Sequence, residues 1–180
     1  MESLRGKLLI SSGGLYDRNF RHTVVLIGEH NAGGALGVIL NRPLDLLVRD
    51  AVPALGNLVP EGAPLYEGGP VRPTGAVLLA ELARPELAGV RVFGSIGFLT
   101  GEISDEVAPH IIRARVYVGY SGWGPGQLEA EMAKDAWIVE AAQEGDVFTD
   151  TPELLWSQIL ERKGGGYRQM SRIPFDPSMN

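Results

Sequence analysis

The chain contains no cysteine. Disulfides, thiolate nucleophiles and sulfur-ligated zinc are thereby excluded, and the absence fits a reducing compartment. Positive charge is also in short supply. Lys and Arg number 16 against 22 Asp and Glu, for a formal net charge of -6. General nucleic-acid binding needs a positive field over the phosphates, so direct nucleic-acid binding is disfavoured. Arg162, Lys163, Arg168 and Arg172 form a local basic stretch. It reads first as a solvated, glycine-broken tail and second as a nucleic-acid arm. Long apolar runs are missing as well. A membrane-spanning helix takes about 20 apolar residues, and nothing here approaches that. Near the N-terminus, Leu8-Leu9-Ile10 is too short for the apolar core of a signal peptide. A soluble, cytoplasmic protein is expected. The three histidines, His22, His30 and His110, lie in separate segments without metal-binding pairing. No Walker phosphate loop occurs anywhere. Neither a metal nor a cofactor is expected.

What is present suits one globular domain. The 180 residues are 44% apolar and 21% charged, enough to build a sizeable core. The spacing predicts a domain over residues 1–164 and an irregular tail over 165–180, where Pro174 and Pro177 prevent a regular element. Residues 7–10, 23–28 and 35–40 read as strands, the second and third joined as a hairpin through a glycine-rich turn. Residues 44–55 carry Leu47, Val48, Ala51 and Leu55 at helical spacing, with Asp45 as a candidate cap and Pro53 as a bend. Residues 64–67 and 75–79 look like a strand pair around Gly68-Gly69-Pro70. Residues 90–93 and 96–100 are short strands. Residues 104–112 read as a short or broken helix. Thr151 and Pro152 open a last helix with Leu155, Trp156, Ile159 and Leu160 on one face, and Gly164 stops it. Strands dominate the first half and helices enter later, which predicts an α+β fold with a mixed, largely antiparallel sheet.

The richest segment covers residues 119–129, Gly-Tyr-Ser-Gly-Trp-Gly-Pro-Gly-Gln-Leu-Glu. It reads as a loop between a strand and a helix. Residues 119–123 come close to the G-x-S-x-G nucleophile elbow, but Trp123 replaces the last glycine and no histidine follows Ser121. Ser121 is either a nucleophile or a hydroxyl bonded to loop backbone. The glycines could also hold an anion before the helix, although Pro125 removes a donor and the dinucleotide spacing is absent. The alternative is a tight turn with Trp123 packed on the core. Glu29-His30 ends a strand, where His30 either faces a cleft or bonds a turn carbonyl. In Asn41-Arg42-Pro43, the proline holds Arg42 extended. Its guanidinium could clamp an anion or bridge internally to Glu67 or Glu29. Gly68-Gly69 after Glu67 leaves room for another backbone or a ligand.

In these blocks, together with residues 6–10, 23–26, 34–35, 37–43 and 68–71, the chain resembles the YqgE/AlgH family of bacterial proteins. The resemblance runs from about residue 6 to about residue 165. It implies a bifurcated sheet folded toward a pseudo-barrel with helices around it, bacterial origin and a cytoplasmic location. It brings no established activity, although members often carry the label of transcriptional regulator. His22 replaces an arginine of the family pattern, and Ala80 lies where a histidine is frequent. The reading that results is a non-catalytic regulatory or binding protein for a small anionic ligand or a protein partner. Its candidate ligand-binding residues are Glu29, His30, Asn41, Arg42, Gly68, Gly69, Ser121, Trp123 and Gln127, gathered on one surface. The alternative is a hydrolase or transferase using Ser121 or His30.

Overall fold

The computed structural model describes residues 2–12 and 21–173; Pro174 and Pro177 lie outside them. Three strands open the fold: β1 (Lys7–Ser11), β2 (Val24–Asn31) and β3 (Gly34–Ile39). Both of their faces are buried. Leu8, Ile10, Val24, Leu26 and Val38 enter one core, while Leu9, Val25, Ile27 and Ile39 enter a second. Two-sided burial explains why these runs are continuously apolar rather than alternating. The strands are antiparallel neighbours, and β2 and β3 form the expected hairpin.

The long strand β9 (Ile111–Trp123) is the spine of the molecule. One of its edges is taken by β6 (Val71–Leu82), antiparallel. The other edge is shared. β5 (Pro64–Glu67) runs parallel to it at Tyr117 and Val118, and β3 takes over at residues 121–123. Gly68 wedges into this fork, donating its N–H to the Val118 carbonyl and accepting from the Ile39 N–H. A Cβ on Gly68 would lie 2.4 Å from the Gly119 carbonyl oxygen, and one on Gly69 2.3 Å from the Tyr120 carbonyl. Gly69 (φ 153°) and Gly119 (φ 71°) also occupy backbone conformations that side chains disfavour. The paired glycines are thus explained by one backbone crossing another. The sequence pattern predicts that β5 and the following strand pair with each other; instead each pairs with β9.

Beyond β6 the sheet continues through β8 (Ile96–Leu99) to β7 (Val90–Phe93), and at the other end β1 pairs with β10 (Trp137–Ala141). The path does not stay open. β7 packs near β2, and the Phe98 ring lies against Gly28. The sheet therefore curls into a pseudo-barrel around Leu8, Ile10, Leu26, Leu79, Ile96 and Tyr117. Outside it, α2 (Gln127–Ala133) covers the second core, with Leu128, Trp123 and Trp137 in contact. A third core, including Val48, Leu55, Leu78 and Val116, lies on the far face of β6 and β9.

Several elements differ from the sequence pattern. Residues 44–55 are not one helix. β4 (Pro43–Leu47) pairs with β5, and only α1 (Val48–Ala51) and a 3-10 segment (Pro53–Leu58) follow. Leu47, not Asp45, occupies the N-cap, without a side-chain bond. Pro53 denies the helix a backbone donor where a second turn would need one. Within residues 104–112 there is only a 3-10 turn (Ala108–His110), because β9 draws Ile111 into pairing. The stretch from residue 119 onward, expected to be a loop, is strand as far as Trp123. β10 and α3 (Glu144–Val147) lie outside the elements expected from the sequence. The last helix, α4 (Leu155–Lys163), buries the four expected residues and ends at Gly164 (φ 78°). Its start is a 3-10 turn (Pro152–Leu154) after Thr151, whose side chain makes no cap bond. Within the stretch expected to be irregular, Tyr167–Met170 form α5, and Tyr167 and Met170 pack on the first core. Among the described residues no helix is long and apolar enough to cross a membrane.

Candidate functional site

The nine candidate residues do not share one surface. Trp123 pairs with Ala35 at the start of β3, whereas Asn41 and Arg42 lie just past its end. At roughly 3.3 Å per residue, these groups stand about 20 Å apart.

At the Trp123 end, polar side chains meet internal partners. Trp123 is 5% exposed. Its Nε1–H donates to Glu131 Oε1 at 3.1 Å, and Trp137 Nε1–H donates to the same oxygen at 2.9 Å. The two indoles meet edge to face, 6.0 Å between centroids. Gln127 accepts from the Gly124 N–H (3.0 Å) and donates to Glu131 Oε2 (3.0 Å). These bonds tie the 124–126 turn to α2. Glu131 was missed by sequence reasoning; the clue was two tryptophans flanking a carboxylate on a short helix. Ser121 is fully buried and donates to the Gly68 carbonyl at 3.1 Å. That bond ties the two crossing backbones together and leaves the hydroxyl without an approach for a substrate. His30 accepts the Leu4 N–H on Nδ1 (2.9 Å), and its Nε2 lies 2.6 Å from Glu129 Oε1. Both ring nitrogens are therefore occupied, as a fastening for the N-terminal segment requires and a general base does not. The hydrogen bond from His30, first of all, holds the Glu129 carboxyl below its usual range. Glu29 is exposed on the neighbouring edge.

At the other end, the strand termini open into a cleft of about 480 Å³. Asn41 frames it by accepting the Val24 N–H (3.0 Å) and donating to the His22 carbonyl (2.9 Å). Arg42 Nη2 donates to the Arg21 carbonyl at 3.2 Å, so the Arg42 side chain lies against the Arg21 backbone. His22 adopts a left-handed backbone (φ 51°), uncommon for a residue with a side chain. Its ring stacks on Trp156, 3.7 Å between centroids and 8° between planes. Trp156 is itself anchored by a 2.9 Å bond from Nε1–H to the Ser11 carbonyl. Burial, and then the charge of Arg21, lowers the His22 pKa; the imidazole is a neutral flat wall at pH 7. Glu67 and Glu153 also line the cleft. Among the described residues neither carboxylate has a hydrogen-bond or ion-pair partner. Arg42 does not bridge to Glu67; the two residues meet through the Glu67 N–H and the Arg42 carbonyl (2.9 Å). Among the described residues no three potential metal ligands converge.

With this architecture in view, comparison with known proteins is decisive. The AlgH-like family model matches residues 8–168. The chain belongs to the AlgH-like family. A UPF0301 protein, SCO2948 of Streptomyces coelicolor, is 38% identical over 187 residues, covering 100% of this chain and 97% of the relative. A UPF0301 protein of Mycobacteroides abscessus is 38% identical, covering 97% and 87%. Among solved structures, the AlgH protein of Pseudomonas aeruginosa in solution superposes with a TM-score of 0.73 at 28% identity, covering 94% of each chain. The crystal structure of DIP2367 from Corynebacterium diphtheriae gives 0.85 at 24% identity over 95% and 92%, a likeness of fold. The AlgH-like fold is thereby established for this chain. These relatives are uncharacterised proteins, and they bring no reaction to it.

Proposed function

We propose that this AlgH-like protein is a non-catalytic binding protein whose cleft beside Arg42 receives a small anionic ligand. One observation carries the reading: Arg21 and Arg42 border an opening of about 480 Å³ that also holds the stacked His22–Trp156 pair. A guanidinium presents a planar fork to carboxylate or phosphate, and the stacked rings offer flat apolar support. Glu67 and Glu153 repel a bare polyanion. They favour a ligand that carries hydrogen-bond donors beside its acid group. The buried Ser121 and the doubly bonded His30 supply no nucleophile or base to this cleft. A regulatory role would run through a protein partner that senses the ligand, since a net charge of -6 opposes direct contact with nucleic acid. A cysteine-free chain suits the cytoplasm for such work.

Thermal-shift screening of small carboxylates and phosphate esters tests the reading. At least one acid should raise the melting temperature of the native protein. Arg42→Ala should abolish that response, while Gln127→Ala should retain it. A flat response across the whole panel would remove the small-anion cleft.

A further inference from the structure

We infer that the last turn of α4 guards the open edge of β10 and keeps two copies of this chain from joining there into one continuous sheet. β10 ends the strand path, with β1 on one side and, among the described residues, no strand on the other. An edge strand presents outward N–H and C=O groups on which a further strand can pair. The ladder fixes which groups these are. Ser11 donates its N–H to Thr23, on the β2 side, and Ser12 donates to Ala136, on the β10 side. With Ile10 opposite Ile138, the alternation of an antiparallel pair turns residues 138 and 140 toward β1 and residues 139 and 141 outward.

Charged side chains occupy those outward groups. Lys163 Nζ donates to the Val139 carbonyl at 3.1 Å, and Arg162 Nη2 reaches the Ala141 carbonyl at 3.5 Å. The Ala141 N–H donates to Glu140 Oε1 at 3.1 Å, and the other Glu140 oxygen lies 3.8 Å from Lys163 Nζ. Asp146 fixes Arg162 in turn, at 2.8 and 3.1 Å. The Val139 N–H faces outward with no side-chain acceptor among the described residues. Charged groups that satisfy an edge from its own chain deny it to another. The partner this edge fits is a second β10. Antiparallel pairing centred on Val139 is self-complementary, as a two-fold dimer requires. Ile138 packs on the first core and Val139 on the second, and both stay half-buried. A strand added here must therefore be apolar on both faces, as residues 138 and 139 of a second copy are.

Sedimentation equilibrium of the full-length protein, with amide exchange of Val139 followed by NMR, tests the guard. The native chain should stay monomeric, with a Val139 amide whose exchange does not depend on concentration. Lys163→Met keeps the aliphatic stem and removes the donor. It should tighten self-association by about tenfold or more and protect the Val139 amide as the dimer forms. Lys163→Arg should behave like the native chain. Adding Val139→Pro to Lys163→Met should return the monomer, because proline removes an N–H that β1 does not use and is admitted on edge strands. Should that double variant lack a native melting transition, Val139 exchange in Lys163→Met alone decides. The inference is overturned if Lys163→Met stays monomeric at about 1 mM, or if it associates while the Val139 amide stays unprotected. A folded double variant that still dimerises, or a native chain already paired through Val139, would overturn it equally.

Discussion

The two ends of β3 are built from similar materials, yet they do different things. Each has a tryptophan, carboxylates, an amide side chain and nearby glycines. At the Trp123 end, both indole N–H groups reach Glu131, Gln127 closes its own turn, and His30 is held between Leu4 and Glu129. At the Arg42 end, Glu67 and Glu153 face a cleft without side-chain partners among the described residues. Buried polar groups that satisfy one another rigidify a fold. Those left facing an opening are the ones a ligand can still use. Residue types alone do not separate a staple from a site. The destination of each hydrogen bond does.

The strongest way to break this comparison is to damage the fork on which both ends depend. Gly69→Ala should cost about 3 kcal/mol or more, or prevent folding altogether, because it combines a backbone clash with a left-side φ. Urea denaturation would measure it, and a change below about 1 kcal/mol would contradict the crossing described above. Next in size is Glu131→Ala, which takes one shared acceptor from two indoles. We expect a loss of about 2 kcal/mol. Glu131→Gln keeps an oxygen there and should lose less, and equal losses would show that packing rather than acceptance is at stake.

The Arg42 end should respond in the opposite way. Arg42→Ala should change stability by less than about 1 kcal/mol while removing the anion response. A large destabilisation would make this end a staple too. The smallest effect concerns pH. Burial lowers the His22 pKa in the folded state, so the unfolded chain takes up a proton first as pH falls. The contribution of His22 is therefore complete above about pH 6.5 and is lost as the pH drops through the lower folded value. The melting temperature should fall on acidification across this range. His22→Gln should flatten that fall measurably, and an unchanged slope in the variant would exclude His22 as its source.

Much of the fold was legible in sequence because local patterns and tertiary demands agreed. The runs in β1, β2 and β3 are apolar on both faces, and the stripe of Leu155, Trp156, Ile159 and Leu160 is buried as its spacing requires. The 44–55 segment was misread because Leu47, Val48, Ala51 and Leu55 mimic a helical face although β5 recruits residues 43–47 into a sheet. Residues 119–123 were misread for a different reason. Glycine density suggests a loop, but here the glycines admit a crossing strand. Of the candidate residues, Asn41 and Arg42 belong to a cleft, while Ser121, Trp123 and Gln127 are occupied internally.

Sequence by itself determined the α+β class, the central strands, the last helix and the family, since each is written in short-range periodicity or in ordered blocks of residues. Only the tertiary structure decided which glycines make space for backbone, which polar groups are spent, and that Arg42 and Trp123 face different surroundings. Those outcomes depend on contacts between residues far apart in the chain, such as Gly68 with Gly119 or His22 with Trp156. No local pattern encodes such a meeting; the closing of the sheet brings it about.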